Sequence, residues 1–139
     1  EGVLYARGSH NLGHSFFVKD GSLHFDYNAM GRHQRASAPI SLSPGAHTIT
    51  ARFTREGKGG RVTIGADGED LGDAPIPKIV RMLGSTGLDI GRDALSPVVD
   101  DYDGPFPFNG EILKATFEIH GRRDRADIEA TAKTELARE

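Results

Sequence analysis

SFFVKDGSLHFDYN, Ser15 to Asn28, consists of two short runs joined by Asp-Gly. In the second run Leu23, Phe25 and Tyr27 face one way, while Ser22, His24 and Asp26 face the other. A side-chain period of two, with one apolar and one polar face, is the pattern of an antiparallel strand. Asp20-Gly21 supplies the positive φ angles of a tight hairpin turn. The stretch therefore reads as a β-hairpin.

The same pattern extends along the chain. In Ala46–Thr54, residues His47, Ile49, Ala51 and Phe53 alternate with Thr48, Thr50, Arg52 and Thr54. Arg61–Ala66 repeats it with Val62 and Ile64, and Asp67-Gly68 follows as another hairpin turn. Ser43-Pro44-Gly45 is a turn whose φ is preset by Pro. In Glu111–His120 the period places Leu113, Ala115, Phe117 and Ile119 inward and Lys114, Thr116, Glu118 and His120 outward. One core is expected from Leu23, Phe25, Ile49, Phe53, Ile64, Leu113 and Phe117. Short strands with glycine-rich turns and no helix between them predict two packed antiparallel sheets. Arg123–Arg138 differs: it has no Gly or Pro, Asp124 can cap it, and Ile128, Ala132 and Leu136 recur every four residues. That spacing predicts a short C-terminal helix. The expected layout is a β-sandwich over residues 1–121 and a helix or tail over 122–139.

The composition narrows the function classes. The chain has 139 residues and a formal net charge of -3, which gives no strong pull toward nucleic acid or an anionic membrane. It has no cysteine, which removes disulfides, zinc–thiolate sites and thiol nucleophiles. No apolar run approaches the roughly 18–20 residues that span a bilayer. A soluble protein of the cytoplasm, periplasm or exterior is expected. The first residues, EGVLYAR, already read as a strand and suggest a piece cut from a longer chain.

Several motifs invite chemistry and fall short of it. Gly57-Lys58-Gly59-Gly60 lacks the spacing and the following Ser/Thr of a phosphate loop, and reads as a hairpin loop. Glu69, Asp70 and Asp73 lie around a turn rather than on the alternating face a glycosidase pair needs. His10 and His14 have helical spacing, but Gly8, Asn11 and Gly13 point to a loop or strand surface with no metal partner. Arg32, His33 and Arg35, like Arg122, Arg123 and Arg125, read as solvated charge. Sugar binding would need an exposed ring, and the chain has no Trp and only Tyr5, Tyr27 and Tyr102.

Gly87–Phe108, GLDIGRDALSPVVDDYDGPFPF, is too rich in Pro, Gly and Asp for a helix or a central strand. Asp89, Asp93, Asp100, Asp101 and Asp103 could offer oxygens to calcium, although the spacing is not that of an EF-hand. The favoured reading is that the aspartates accept hydrogen bonds from turn amides, with no cofactor bound. Asp93, Asp101 and Tyr102 are candidates for a contact with another domain.

This segment resembles one near the C-terminal end of bacterial arylsulfatase-type sulfatases. The blocks Phe16–Gly21, Leu23–Asn28, Leu42–Thr48, Asp89–Asp93, Ser96–Val98, Asp101-Tyr102 and Phe106–Ile119 match in order. The resemblance implies a jelly-roll sandwich of the concanavalin A or laminin-G kind, placed after a catalytic domain that hydrolyses sulfate esters and binds calcium. It also implies what this chain lacks. The formylglycine precursor motif is Cys/Ser-x-Pro-x-Arg, and the nearest approach, Ser37-Ala38-Pro39-Ile40-Ser41, has no Arg at the fifth position. The expected role is a non-catalytic accessory domain whose partner is the catalytic domain, with a homo-oligomer as a further assembly option. The alternative is an independent glycan-binding, lectin-like module.

Overall fold

The computed structural model describes residues 1–79, 88–94, 97–120 and 129–138, and side chains up to 118. Four consecutive strands, β1 (Gly2–Gly8), β2 (Leu12–Lys19), β3 (Ser22–Ala29) and β4 (Arg32–Pro39), form an antiparallel meander. The chain then crosses to a second sheet built from β5 (Gly45–Glu56), β6 (Gly59–Ala66) and β7 (Glu69–Ile76). A short β8 (Leu88–Ile90) returns to pair with β1, and β9 (Glu111–His120) and β10 (Glu129–Arg138) complete the second sheet. The strand orders are β4-β3-β2-β1-β8 and β7-β6-β5-β10-β9, a β-sandwich.

The predicted turns have the required geometry. Asp20 and Gly21, and Asp67 and Gly68, all take positive φ. Met30-Gly31 does the same between β3 and β4 without an Asn-Gly or Asp-Gly signature. Asn28 Oδ1 supports that turn by accepting the Gly31 N–H at 2.9 Å. Gly57-Lys58 is the β5–β6 turn. A Cβ on Gly59 would strike the Ile76 carbonyl oxygen, and one on Gly60 would strike the Thr54 carbonyl oxygen and the Phe53 ring. These glycines therefore serve strand packing.

The main core lies between the sheets. Phe16, Leu23, Phe25 and Tyr27 from the first sheet meet Ile49, Ala51, Val62, Ile64 and Ile76 from the second. A β-bulge between Val3 and Tyr5 lets both Leu4 and Tyr5 join that core, while Val3 and Ala6 belong to a second cluster.

Two expectations fail. Residues 129–138 form strand β10, paired to both β5 and β9, instead of a helix. The misleading feature is the spacing. Ile128, Ala132 and Leu136 recur every four residues, which is close to one helical turn and also two strand periods. With few apolar residues, a lone helix there has little to stabilise it, whereas a slot between two strands satisfies every backbone group. Residues 122–128 of the expected helix, with Arg122, Arg123 and Arg125, lie outside the described residues. The second failure is the placement of Leu113 and Phe117 in the core, since they are 55% and 48% exposed. Leu113 is the extra residue of a bulge, because Ile112 pairs with Leu136 and Lys114 with Glu135. Ile112 packs against the core instead. Phe117 meets Tyr5 edge-on at 5.8 Å, but β9 is an edge strand and gives its ring little other cover.

Candidate functional site

The described residues of the Asp-rich segment, 88–94 and 97–108, form a third layer on the outer face of the first sheet. Its near end is held by β8 on β1 and by the Gly91 N–H donating to the Leu4 carbonyl at 2.7 Å. Its far end is held by the Val3 N–H donating to Phe106 O at 2.9 Å and the Phe108 N–H donating to Gly91 O at 3.0 Å. Between these anchors Val98, Val99 and Tyr102 cover Val3, Ala6 and Phe17, with Phe106 packed alongside. Tyr102 stacks on Phe106 at 4.9 Å and meets Phe17 edge-on at 5.2 Å. A face expected to be wet is therefore dry, and Ser15, Asp26 and Asn28 on it are fully buried.

Each buried polar group has a partner. Asp93, 2% exposed, accepts the Val98 N–H at 2.9 Å and the Tyr102 hydroxyl at 2.6 Å through one oxygen. The Tyr102 hydroxyl also meets Ser15 Oγ at 2.8 Å. Burial, and then the bond to Asp93, push the Tyr102 phenol up, so it stays protonated. The Asn28 amide donates to Val98 O at 2.9 Å and to His10 O at 2.7 Å. Among the described residues, no buried side-chain nitrogen or oxygen lacks a hydrogen-bond partner.

Arg35 ties this layer to the sheet. Its Nε donates to the buried Asp26 at 3.0 Å, and its two terminal nitrogens grip Asp101 at 2.7 and 2.5 Å. Its guanidinium lies 5.5 Å from the centre of the Phe17 ring. The hydrogen bonds from Arg35 hold the Asp101 carboxyl below the usual carboxylate range. His33 Nδ1 lies 2.6 Å from the other Asp26 oxygen. His33 and Arg35 are thus engaged with carboxylates rather than merely solvated. The signal available in the sequence was Asp26, which stands opposite Arg35 in the pairing of β3 with β4.

The metal candidates are scattered. Asp89 accepts the Ala94 N–H at 3.0 Å, Asp93 is buried on Tyr102, Asp101 is held by Arg35, and Asp100 is exposed. Among the described residues, no three His, Asp or Glu side chains converge as a metal site. Of the interface candidates, Asp93 and Tyr102 lie beneath the loop and Asp101 lies at its rim. His24 Nδ1 and Ser37 Oγ are 2.7 Å apart, a cross-strand pair on β3 and β4. Burial first, and then the Arg35 charge, lower the His24 pKa.

A second feature lies between the sheets at the β8–β9 edge. A cavity of about 450 Å³ is lined by Tyr5, Phe25, Tyr27, Phe53 and Phe117, with Arg7, His14 and Glu118 as its charged or titratable members. The Tyr5 hydroxyl is 2.9 Å from His14 Nδ1, and the His14 ring stacks on Phe25 at 5.8 Å. Burial, and then the Arg7 charge, lower His14 to about 4, so it is neutral at pH 7. His14 lies on β2 facing inward, not on a loop. The sequence signal was parity, since His14 is two residues before the inward Phe16. All three tyrosines are buried, and none offers an exposed ring face to a sugar.

No protein-family model, curated protein or solved structure matches this chain. Among the described residues, no helix is long and apolar enough to cross a membrane.

Proposed function

We propose that this chain is the non-catalytic C-terminal accessory domain of an arylsulfatase-like sulfate-ester hydrolase, packing on the catalytic domain or supporting assembly. The finer kinship, a jelly roll of the concanavalin A or laminin-G kind, belongs to the same proposal. Support comes from the ordered sequence blocks and from one structural observation. Among the described residues, the large apolar side chains left most exposed are Met30, Leu88, Ile90, Leu113 and Phe117. All except Met30 lie on β8 and β9, the two strands that end their sheets on the same side of the sandwich. An apolar strip on two adjacent edge strands is a surface that a partner covers. The Asp-rich layer is anchored on β1 beside that strip.

The test is the complete reading frame and its product. A Cys/Ser-x-Pro-x-Arg motif upstream is expected, with 4-nitrophenyl sulfate hydrolysed by the whole polypeptide and not by this chain alone. A reading frame without that motif, or turnover by this chain alone, would overturn the proposal.

A further inference from the structure

A pocket of about 450 Å³, partly open to solvent, lies between the two sheets at the β8–β9 edge. Its size falls within the roughly 300–1,000 Å³ of small-molecule sites, and its lining is mostly aromatic and aliphatic, as in such sites. Three of the polar groups, Tyr5, Arg7 and His14, lie together on β1 and β2. Arg7 and His14 are cross-strand partners on β1 and β2, and Tyr5 bonds to His14. Among the described residues, Arg7 makes no ion pair, whereas Glu118, on the β9 side, has a partner of its own. Arg7, an exposed residue of the lining, therefore offers a cation on the β1 side of the pocket.

We propose that this cavity binds a small aryl or acyl ligand bearing one anionic head group. The apolar body sits among Phe25, Phe53 and Phe117, and the head is directed toward Arg7 and the Tyr5–His14 pair. A neutral His14 leaves the inner wall uncharged, so the ligand's apolar part is not opposed by a buried cation. Binding would restore the contacts that the rings facing the cavity lack. Leu88 and Phe117 belong both to this lining and to the exposed strip of the β8–β9 edge, so the pocket is tested on the chain alone, where that edge is uncovered.

The experiment is a fluorescence titration of the folded chain with two probes, anionic 8-anilinonaphthalene-1-sulfonate and neutral N-phenyl-1-naphthylamine. Saturable binding at one site per chain is expected for both, tighter for the sulfonate. Ala51→Leu fills the cavity from β5 and should weaken both probes about tenfold or more. Phe53→Trp fills it from the same strand by a different route and covers the case in which Ala51→Leu does not fold. Arg7→Gln should weaken only the sulfonate, by roughly fivefold, and bring the two probes level. Non-saturable binding, or binding that both filling variants leave unchanged, would overturn the site. Equal weakening of both probes by Arg7→Gln would overturn the anionic head group.

Discussion

The outer face of the first sheet and the edge formed by β8 and β9 reverse what their sequences suggest. The segment over the outer face is crowded with Asp, Pro and Gly, yet it buries Val98, Val99 and Tyr102 and satisfies Asp93 completely. The edge comes from an alternating apolar strand, yet it leaves Leu113 and Phe117 in the open. Burial thus depends less on a residue's polarity than on whether a neighbouring element is there to receive it. Polar side chains can go inside when each donor meets an acceptor. Apolar ones stay out when their strand is the last in its sheet.

The largest expected effects contrast two phenylalanines. Phe16 is fully buried and touches Tyr5 and Phe25. Phe16→Ala should cost about 3–5 kcal/mol in urea unfolding. Phe117→Ala should cost only about 1 kcal/mol, because half of that ring is already wet. Equal losses would mean that the β9 edge is as well packed as the centre. Next comes the loop. Asp93→Ala strands the Val98 N–H and leaves the Tyr102 hydroxyl only Ser15 Oγ as a partner, and should cost about 2–3 kcal/mol. A loss below about 0.5 kcal/mol would show that the layer is not fixed on the sheet.

The third prediction concerns pH. His14 is lowered from 6.5 to about 4 in the fold, so between those values the unfolded chain binds the extra proton. Stability should therefore fall as pH drops from about 6.5 to 4, by on the order of 2 kcal/mol. His24 shifts in the same direction and adds to the slope. His14→Phe should flatten the profile measured by urea midpoints at several pH values, and an unchanged slope would remove His14 from the pocket wall. The smallest effect belongs to the rim. Asp101 is depressed by Arg35, so its contribution is complete above the ordinary carboxylate pKa and is lost as pH falls through its lowered value. The pair is partly exposed, and Asp101→Asn should cost less than about 1 kcal/mol at pH 7. A larger loss would make Arg35 the main tie of the layer.

The sandwich was legible in the sequence because its strands alternate cleanly and two of its turns are Asp-Gly. Leu23, Phe25, Ile49 and Ile64 lie in the core that their period assigns them. What the period could not show is which strands end a sheet, and that decides the fate of Leu113 and Phe117. Nor could it separate helix from strand at Ala132 and Leu136, where a spacing of four suits both. The polar layer was half legible. Asp89 and Asp93 accept turn amides as their residue type suggests, but the burial of Asp26 by Arg35 and His33 depends on a pairing between strands. The pocket was the least legible feature, because its members Tyr5, His14, Phe53 and Phe117 come from four different strands.

Hydrogen–deuterium exchange on this chain alone and within the longer polypeptide proposed above tests the central contrast most directly. In both forms the amides of Val3, Asp93 and Val98 should be protected, since each is bonded within the loop layer or to the strand beneath it. The amides along the outer edge of β9 should exchange quickly in the isolated chain and slow at least about tenfold in the longer polypeptide, as a covered edge requires. Rapid exchange at Asp93 and Val98, or a β9 edge that behaves identically in both forms, would contradict the account.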